Sequence, residues 1–235
     1  MNQTVQTAQQ APAAQAEARP RRPGRPKATS ARTNDPQRTM ADIVDVATKE
    51  FADKGLSGAR IDAIAAATKT SKRMIYYYFT SKEGLYVAVL EEAYRRIRSI
   101  ENDLHLEDLE PEDALRKLVG FTFDYQLANP AFIRLVMTEN IHNGEFLAQS
   151  TTIQALNVPV INAVRGVYER GVKAGAFRRN LDAIDLHMSI SALCFFNVSN
   201  RHTFALIFKR DLDTPKAIAQ RRDSIIEMVV RFVRK

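Results

Sequence analysis

IDAIAAATKTSKRMIYYYFTSK, residues 61–82, holds two short apolar-periodic runs on either side of a polar break. In the first run, Ile61, Ile64, Ala65 and Thr68 fall at i, i+3, i+4 and i+7, one face of a helix. In the second, Ile75 and Phe79 are four apart, with Tyr78 alongside. Lys69-Thr70-Ser71 forms the break, and Ser71 has the hydroxyl to cap the second helix. Two short helices joined by so tight a turn predict a helix-turn-helix, whose second helix can lie in a DNA major groove. The charges agree, because Lys69, Lys72, Arg73 and Lys82 have no acid among or between them.

Tyr76, Tyr77 and Tyr78 sharpen the reading. Neighbouring helix residues turn by about 100°, so three in a row sweep about 200° and cannot all face one core. With Ile75 and Phe79 inward, Tyr76 and Tyr77 are the outward pair. There a phenol can hydrogen-bond a phosphate and its ring can rest on a thymine methyl.

The run TSKRMIYYYFTSKEGLY, with EFADKGL and IDAIA upstream, resembles the DNA-binding signature of the tetracycline-repressor (TetR) family of bacterial regulators. The resemblance covers roughly residues 36–95. It implies an all-α fold, an N-terminal three-helix head followed by a helical effector-binding and dimerisation domain. It places the family's recognition-helix tyrosine on Tyr76, its lysine at the start of the next helix on Lys82, and groove-facing positions on Lys72, Arg73, Met74 and Tyr77. The chain departs from the pattern at Arg60, where the family has a capping threonine. Arginine cannot accept helix N–H bonds, so Gly58 or water is expected to serve, leaving Arg60 for a phosphate.

Outward from this head, residues 1–34 are rich in Gln, Ala, Pro, Arg and Thr, and are expected to be disordered. Inside them RRPGRPK, residues 21–27, resembles an AT-hook, with Arg25 laid along a narrow minor groove. Residues 1–40 hold seven Lys/Arg against two acids, so +5 of the net +7 sits there. A nearly neutral body argues against a general nucleic-acid coat protein. The single cysteine, Cys194, excludes an internal disulfide and suits a reducing compartment. With no apolar leader at residues 1–16 and no membrane-length apolar run, the expectation is a cytoplasmic protein without membrane contact.

Asp35-Pro36 reads as a helix start and Gly55 as its end, with Ile43, Ala47 and Phe51 every four residues between. Its acids, Asp42, Asp45, Glu50 and Asp53, are expected to face away from DNA. Thr80 with Glu83 predicts a capping box for a fourth helix, whose stripe Leu85, Val89, Ala93, Ile97 and Ile100 runs to about residue 103. That gives domains at 35–82 (DNA-binding) and 83–235 (ligand-binding and dimerisation), the long helix linking the two. Further helices are predicted at 112–128, 131–141, 153–174, 183–200 and 215–234, with Pro159 early in its helix.

The last two helices are apolar on two faces, and two faces need two partners. Leu186, Ile190, Leu193, Ile225, Val229 and Phe232 are the expected homodimer contacts, in keeping with a pseudo-palindromic operator on double-stranded DNA.

Catalysis finds no support in the pattern. The four histidines and Cys194 lack metal-ligand spacing, and phosphate loop, serine elbow and paired carboxylates are all missing. No metal, cofactor or catalytic residue is therefore expected. An effector pocket is implied by the resemblance, with Tyr125, Glu139, His142, Tyr168, Cys194, Asn197 and Arg201 as candidate liners and an anionic or heteroaromatic effector expected. The function expected is a repressor released from its operator by that effector. The alternatives are a DNA-bound protein adaptor and an architectural DNA binder without a metabolite effector.

Overall fold

The computed structural model describes Met1 and residues 35–235. Arg25 and the RRPGRPK segment lie outside the described residues. Ten α-helices make up the fold among the residues described. They are α1 Pro36–Gly58, α2 Ile61–Thr68, α3 Lys72–Phe79, α4 Lys82–Asn102, α5 Pro111–Ala128, α6 Pro130–Ile141, α7 Thr151–Lys173, α8 Ala183–Ser199, α9 Arg201–Phe208 and α10 Pro215–Val233.

Local chemistry fixes the starts. Asp35 Oδ1 accepts from the backbone N–H groups of Gln37 and Arg38 at 3.0 and 3.3 Å, just ahead of Pro36. Asp182 caps α8 through Ile184 N–H and Asp185 N–H, and Thr214 caps α10 through Ala217 N–H. Each such cap contributes about 1 kcal/mol. Gly55 interrupts α1 at φ 66° and ψ 176°, a combination that only glycine adopts readily. Gly171 answers a different demand, since a Cβ there would stand 2.0 Å from the Phe177 ring.

Two hydrophobic clusters organise these helices. One gathers Ile43, Ala47, Phe51, Ile61, Ile64, Ile75 and the first half of α4, from Leu85 to Leu90. It continues through Leu135 of α6, Phe146 and Ile153 of α7, so the core closing the head does not stop at residue 82. The other gathers α5, α7, α8 and α10 around Leu118, Phe123, Val164, Phe177, Ile190, Ile225 and Val230.

Three expectations need correction. The start of α4 is capped by Ser81, whose Oγ accepts from Gly84 N–H at 2.9 Å, not by Thr80 with Glu83. Thr80 instead ends α3 at φ 66°, so the box is one residue out of register. Ile100 is 46% exposed and leaves the apolar stripe of α4. Helix α9 is absent from the sequence reading, because RHTFALIF has no buried residue and hence no core-facing periodicity to detect. Among the described residues no helix is long and apolar enough to cross a membrane.

Candidate nucleic-acid interface and regulatory pockets

The reading head is built from α2 and α3. Lys69 closes α2 in the left-handed region at φ 54°, and Thr70 N–H reaches back to Ala65 O at 3.1 Å. Ser71 Oγ then accepts from Met74 N–H at 3.2 Å and opens α3. Ile75 is fully buried. That burial is worth about 1.5–3 kcal/mol, more than the cap, so one side chain sets which way α3 faces. Arg73, Tyr76 and Tyr77 consequently stand outward, with Tyr77 77% exposed. Tyr77 rests edge-on against Tyr78, 5.3 Å between centroids, which steadies its ring without covering it.

Several charges around the head are already engaged. Lys72 pairs with Asp62 of α2, and Arg60 stands 3.9 Å from the same carboxylate. Both pairs are exposed, hence worth about 0–1 kcal/mol, and a phosphate can displace them. Lys82 Nζ donates to Ser57 O at 3.2 Å, tying the start of α4 to the turn before α2. Neither Gly58 nor any side chain caps α2. Glu50 Oε1 instead accepts from the backbone N–H of Arg60 at 3.0 Å and holds the entry to that helix. Hydrogen bonding from Lys54 is the main reason its carboxyl lies below the usual range. Two further acids of α1 turn to the body. Asp45 pairs with Arg96 of α4, and Asp53 with Arg134 of α6 at 2.6 Å.

Inside the body, polar groups gather where α4, α5, α6 and α8 meet. Arg98 and Glu101 form an ion pair that is almost wholly buried. Burial outweighs Arg98 and raises the Glu101 carboxyl above its ordinary value. Burial, with Arg98 adding to it, lowers the His187 imidazole. Glu139, 3% exposed, accepts from Leu147 N–H through Oε2 at 2.8 Å. Its Oε1 has no partner, and neither have Tyr86 Oη, Arg98 Nε or Gln126 Oε1. Burial first and the Glu139 charge second push the Tyr86 phenol upward. Four orphaned polar atoms in one interior are costly unless something else bonds them.

Two shallower features lie on α8 and α10. An apolar groove of about 410 Å³ runs between them, lined by Leu186, Ser189, Ala192, Leu193, Met228, Val229 and Phe232. Beside it Met188 and Phe196 stand exposed at 60% and 44%, each about one turn from Ala192 along α8. At the far end of α8 a smaller cleft of about 230 Å³ opens against α9 and α10. Among the described residues, His105, Glu107 and Asp108 bring three ligand atoms within 4.8 Å of one another, all exposed on a surface turn.

With that geometry in view, the chain was compared with known proteins. Residues 43–89 match the model of the bacterial regulatory proteins of the tetR family, and residues 111–229 match a tetracyclin repressor-like C-terminal domain. The HTH-type transcriptional repressor NicS of Pseudomonas putida is 35% identical over 89% of this chain and 99% of its own. The chain belongs to the TetR family. It is a DNA-binding transcriptional regulator, and no enzymatic activity is part of that family's role. Among solved structures, a transcriptional regulator of Streptomyces coelicolor, SCO4942, superposes at a TM-score of 0.62 with 27% identity, covering 83% of this chain and 98% of its own. The FadR regulator of Bacillus subtilis, solved with stearoyl-CoA, shares the fold at a TM-score of 0.63 with 18% identity, over 81% and 97% of the two chains.

Against this TetR-family frame the candidate liners separate. Glu139 lies in the interior polar cluster, and His142 flanks it, its ring 6.0 Å from that of Phe146. Tyr125 stacks with Phe121 and Phe132 at the edge of the same region. Asn197 and Arg201 line the smaller cleft instead. Tyr168 has a structural role. Its hydroxyl donates to Arg178 O and accepts from Leu181 N–H, fastening the turn between α7 and α8. Cys194 is fully buried in the core, and burial pushes its thiol up to about 12.

The dimer candidates divide as well. Ile190 and Ile225, expected at the interface, are 1% and 0% exposed inside their own protomer's core. Leu186 and Val229 form the floor of the groove, while Leu193 and the half-exposed Phe232 stand on its walls. Sequence reasoning missed Arg98, Gln126 and His187 altogether. An Arg98–Glu101 pair at i, i+3 looks like an ordinary solvated helix face, and only packing distinguishes the two.

Proposed function

We propose that this chain is a repressor that binds a pseudo-palindromic operator as a homodimer in the cytoplasm and is released by a small-molecule effector. The observation that carries the reading is the outward face of α3, where Arg73, Tyr76 and Tyr77 project from a capped helix held by Ile75. In this reading Lys72, Arg73 and Met74 probe base edges. Ser71, Tyr76, Tyr77 and Lys82 fix the backbone, and Arg60 adds a phosphate contact. Arg25 supplies salt-sensitive affinity from the arm.

The dimer forms on the groove between α8 and α10, with Met188, Phe196, Met228 and Phe232 supplying the exposed apolar surface. Leu206, Ile207 and Phe208, the exposed edge of α9, extend that face. The effector occupies the polar interior around Tyr86, Arg98, Gln126 and Glu139, whose orphaned atoms it would satisfy. Release then follows from differential affinity. An effector that favours a spacing of the two heads unlike that of the operator's half-sites shifts the population off DNA. Names such as NicS repressor and the acyl-CoA bound to FadR support this kind of switch, though not the identity of the ligand.

Selection of bound sequences from random DNA, followed by footprinting, tests the operator claim. A two-fold symmetric site protected by the wild type and lost in Tyr77→Ala is the expected result. An asymmetric or sequence-independent footprint would sink it.

A further inference from the structure

The small cleft at the end of α8 differs in charge from the interior cluster. In the interior, one guanidinium, Arg98, faces two carboxylates, Glu101 and Glu139. In the cleft, two guanidiniums, Arg201 and Arg221, meet one carboxylate, Asp213. Arg201 Nη1 takes that carboxylate at 2.7 Å, while its Nη2 is buried without a partner. Arg221 is half-buried and makes no ion pair among the described residues. Asn197 and Asn200 add neutral hydrogen-bonding groups.

Two aromatic rings also line the cleft. Phe196 and Phe204 meet edge to face with centroids 5.8 Å apart. The cleft's volume of about 230 Å³ falls below the roughly 300–1,000 Å³ of pockets that hold drug-sized ligands. A phosphate or acetate would use only the cationic side, and a long acyl chain would not fit. Two guanidiniums against a single carboxylate, beside two aromatic rings in so small a volume, suit a fragment with a charged end and a flat body.

We propose that this cleft is a second ligand site, selective for a small planar carboxylate such as an aromatic acid. The carboxylate takes Arg221 and displaces Asp213 from Arg201 Nη1, and the ring packs against Phe196 and Phe204. Because Phe196 also stands on the exposed face of α8, the occupant sits beside the surface assigned to the second copy.

Titration calorimetry of the full chain, free of DNA, with benzoate as the probe tests this. Benzoate is expected to saturate, with acetate and benzyl alcohol each at least about tenfold weaker, since each lacks one half of the match. Arg221→Gln should weaken benzoate by about tenfold or more. Asp213→Asn should strengthen it several-fold, about 3-fold or more, because Arg201 loses its internal competitor. That rise is one that mere loss of structure does not produce. Absence of saturation below roughly 10 mM, or an unchanged affinity in Arg221→Gln, overturns the site. Acetate binding as tightly as benzoate overturns the planar-ring selectivity. Operator binding is measured separately, so a chain that binds its operator but not benzoate loses the cleft alone.

Discussion

The head and the body of this regulator handle polar side chains in opposite ways. On α3, Arg73, Tyr76 and Tyr77 are exposed, while Ile75 is buried and Tyr78 and Phe79 pack partly against the core. Around Arg98 the polar groups are buried, paired at close range and left with unsatisfied atoms. If the proposed sites are right, functional and stabilising groups are separate residues in the head and the same residues in the body. Substitution in the head should cost binding without stability, whereas substitution in the body should cost both.

The largest expected effect comes from Arg98→Ala. It strands Glu101 in the interior and should destabilise the protein by about 3–5 kcal/mol in denaturant unfolding. A change under about 1 kcal/mol would show that the pair is solvated and would erase the contrast. Next is Gly171→Ala, where the new methyl must displace the Phe177 ring, at a cost of about 1–3 kcal/mol in the same assay. Tyr77→Ala should weaken operator binding by about 1–3 kcal/mol while moving stability by no more than about 0.5 kcal/mol. Equal losses in both measurements would mean that the head is no different from the body.

Smaller effects sharpen the same line. Asp62→Asn removes the partner of Lys72 and should steepen the salt dependence of DNA binding by about one unit of slope, with slightly tighter binding at low salt. An unaltered slope would mean that freeing Lys72 from Asp62 adds no net charge to the DNA interface. His187 is held below its ordinary pKa of 6.5 by burial, so the unfolded chain binds the proton more readily. Its contribution is fully present above 6.5 and is lost as pH falls towards the folded value. His187→Gln should flatten the drop in melting temperature below pH 6.5, and an unchanged profile would place the titration elsewhere.

The head was legible in the sequence because its working surface is exposed. Three tyrosines in a row cannot all be core, and Ser71 before Lys72 is a local signal needing no tertiary knowledge. The body was legible only as helices, from Pro111, Asn129-Pro130, Asp182 and Thr214-Pro215. Whether Ile190 faces a partner or its own core depends on how α8 rotates against α5 and α7, and no local pattern encodes that angle. The same blindness hid Arg98, since burial is a property of the neighbours. The capping box slipped by one residue because Thr80 and Ser81 are both able hydroxyls, and backbone direction, not chemistry, selected Ser81.

The cluster that joins α1–α4 to Leu135, Phe146 and Ile153 bears on anyone wishing to shorten this molecule. Trimming after Lys82 would remove Leu85, Tyr86, Val89 and Leu90, all at or below 1% exposure, and leave Phe51 facing water. A portable reader would have to keep the first half of α4 and supply a substitute lid for the surface that α6 and α7 now cover.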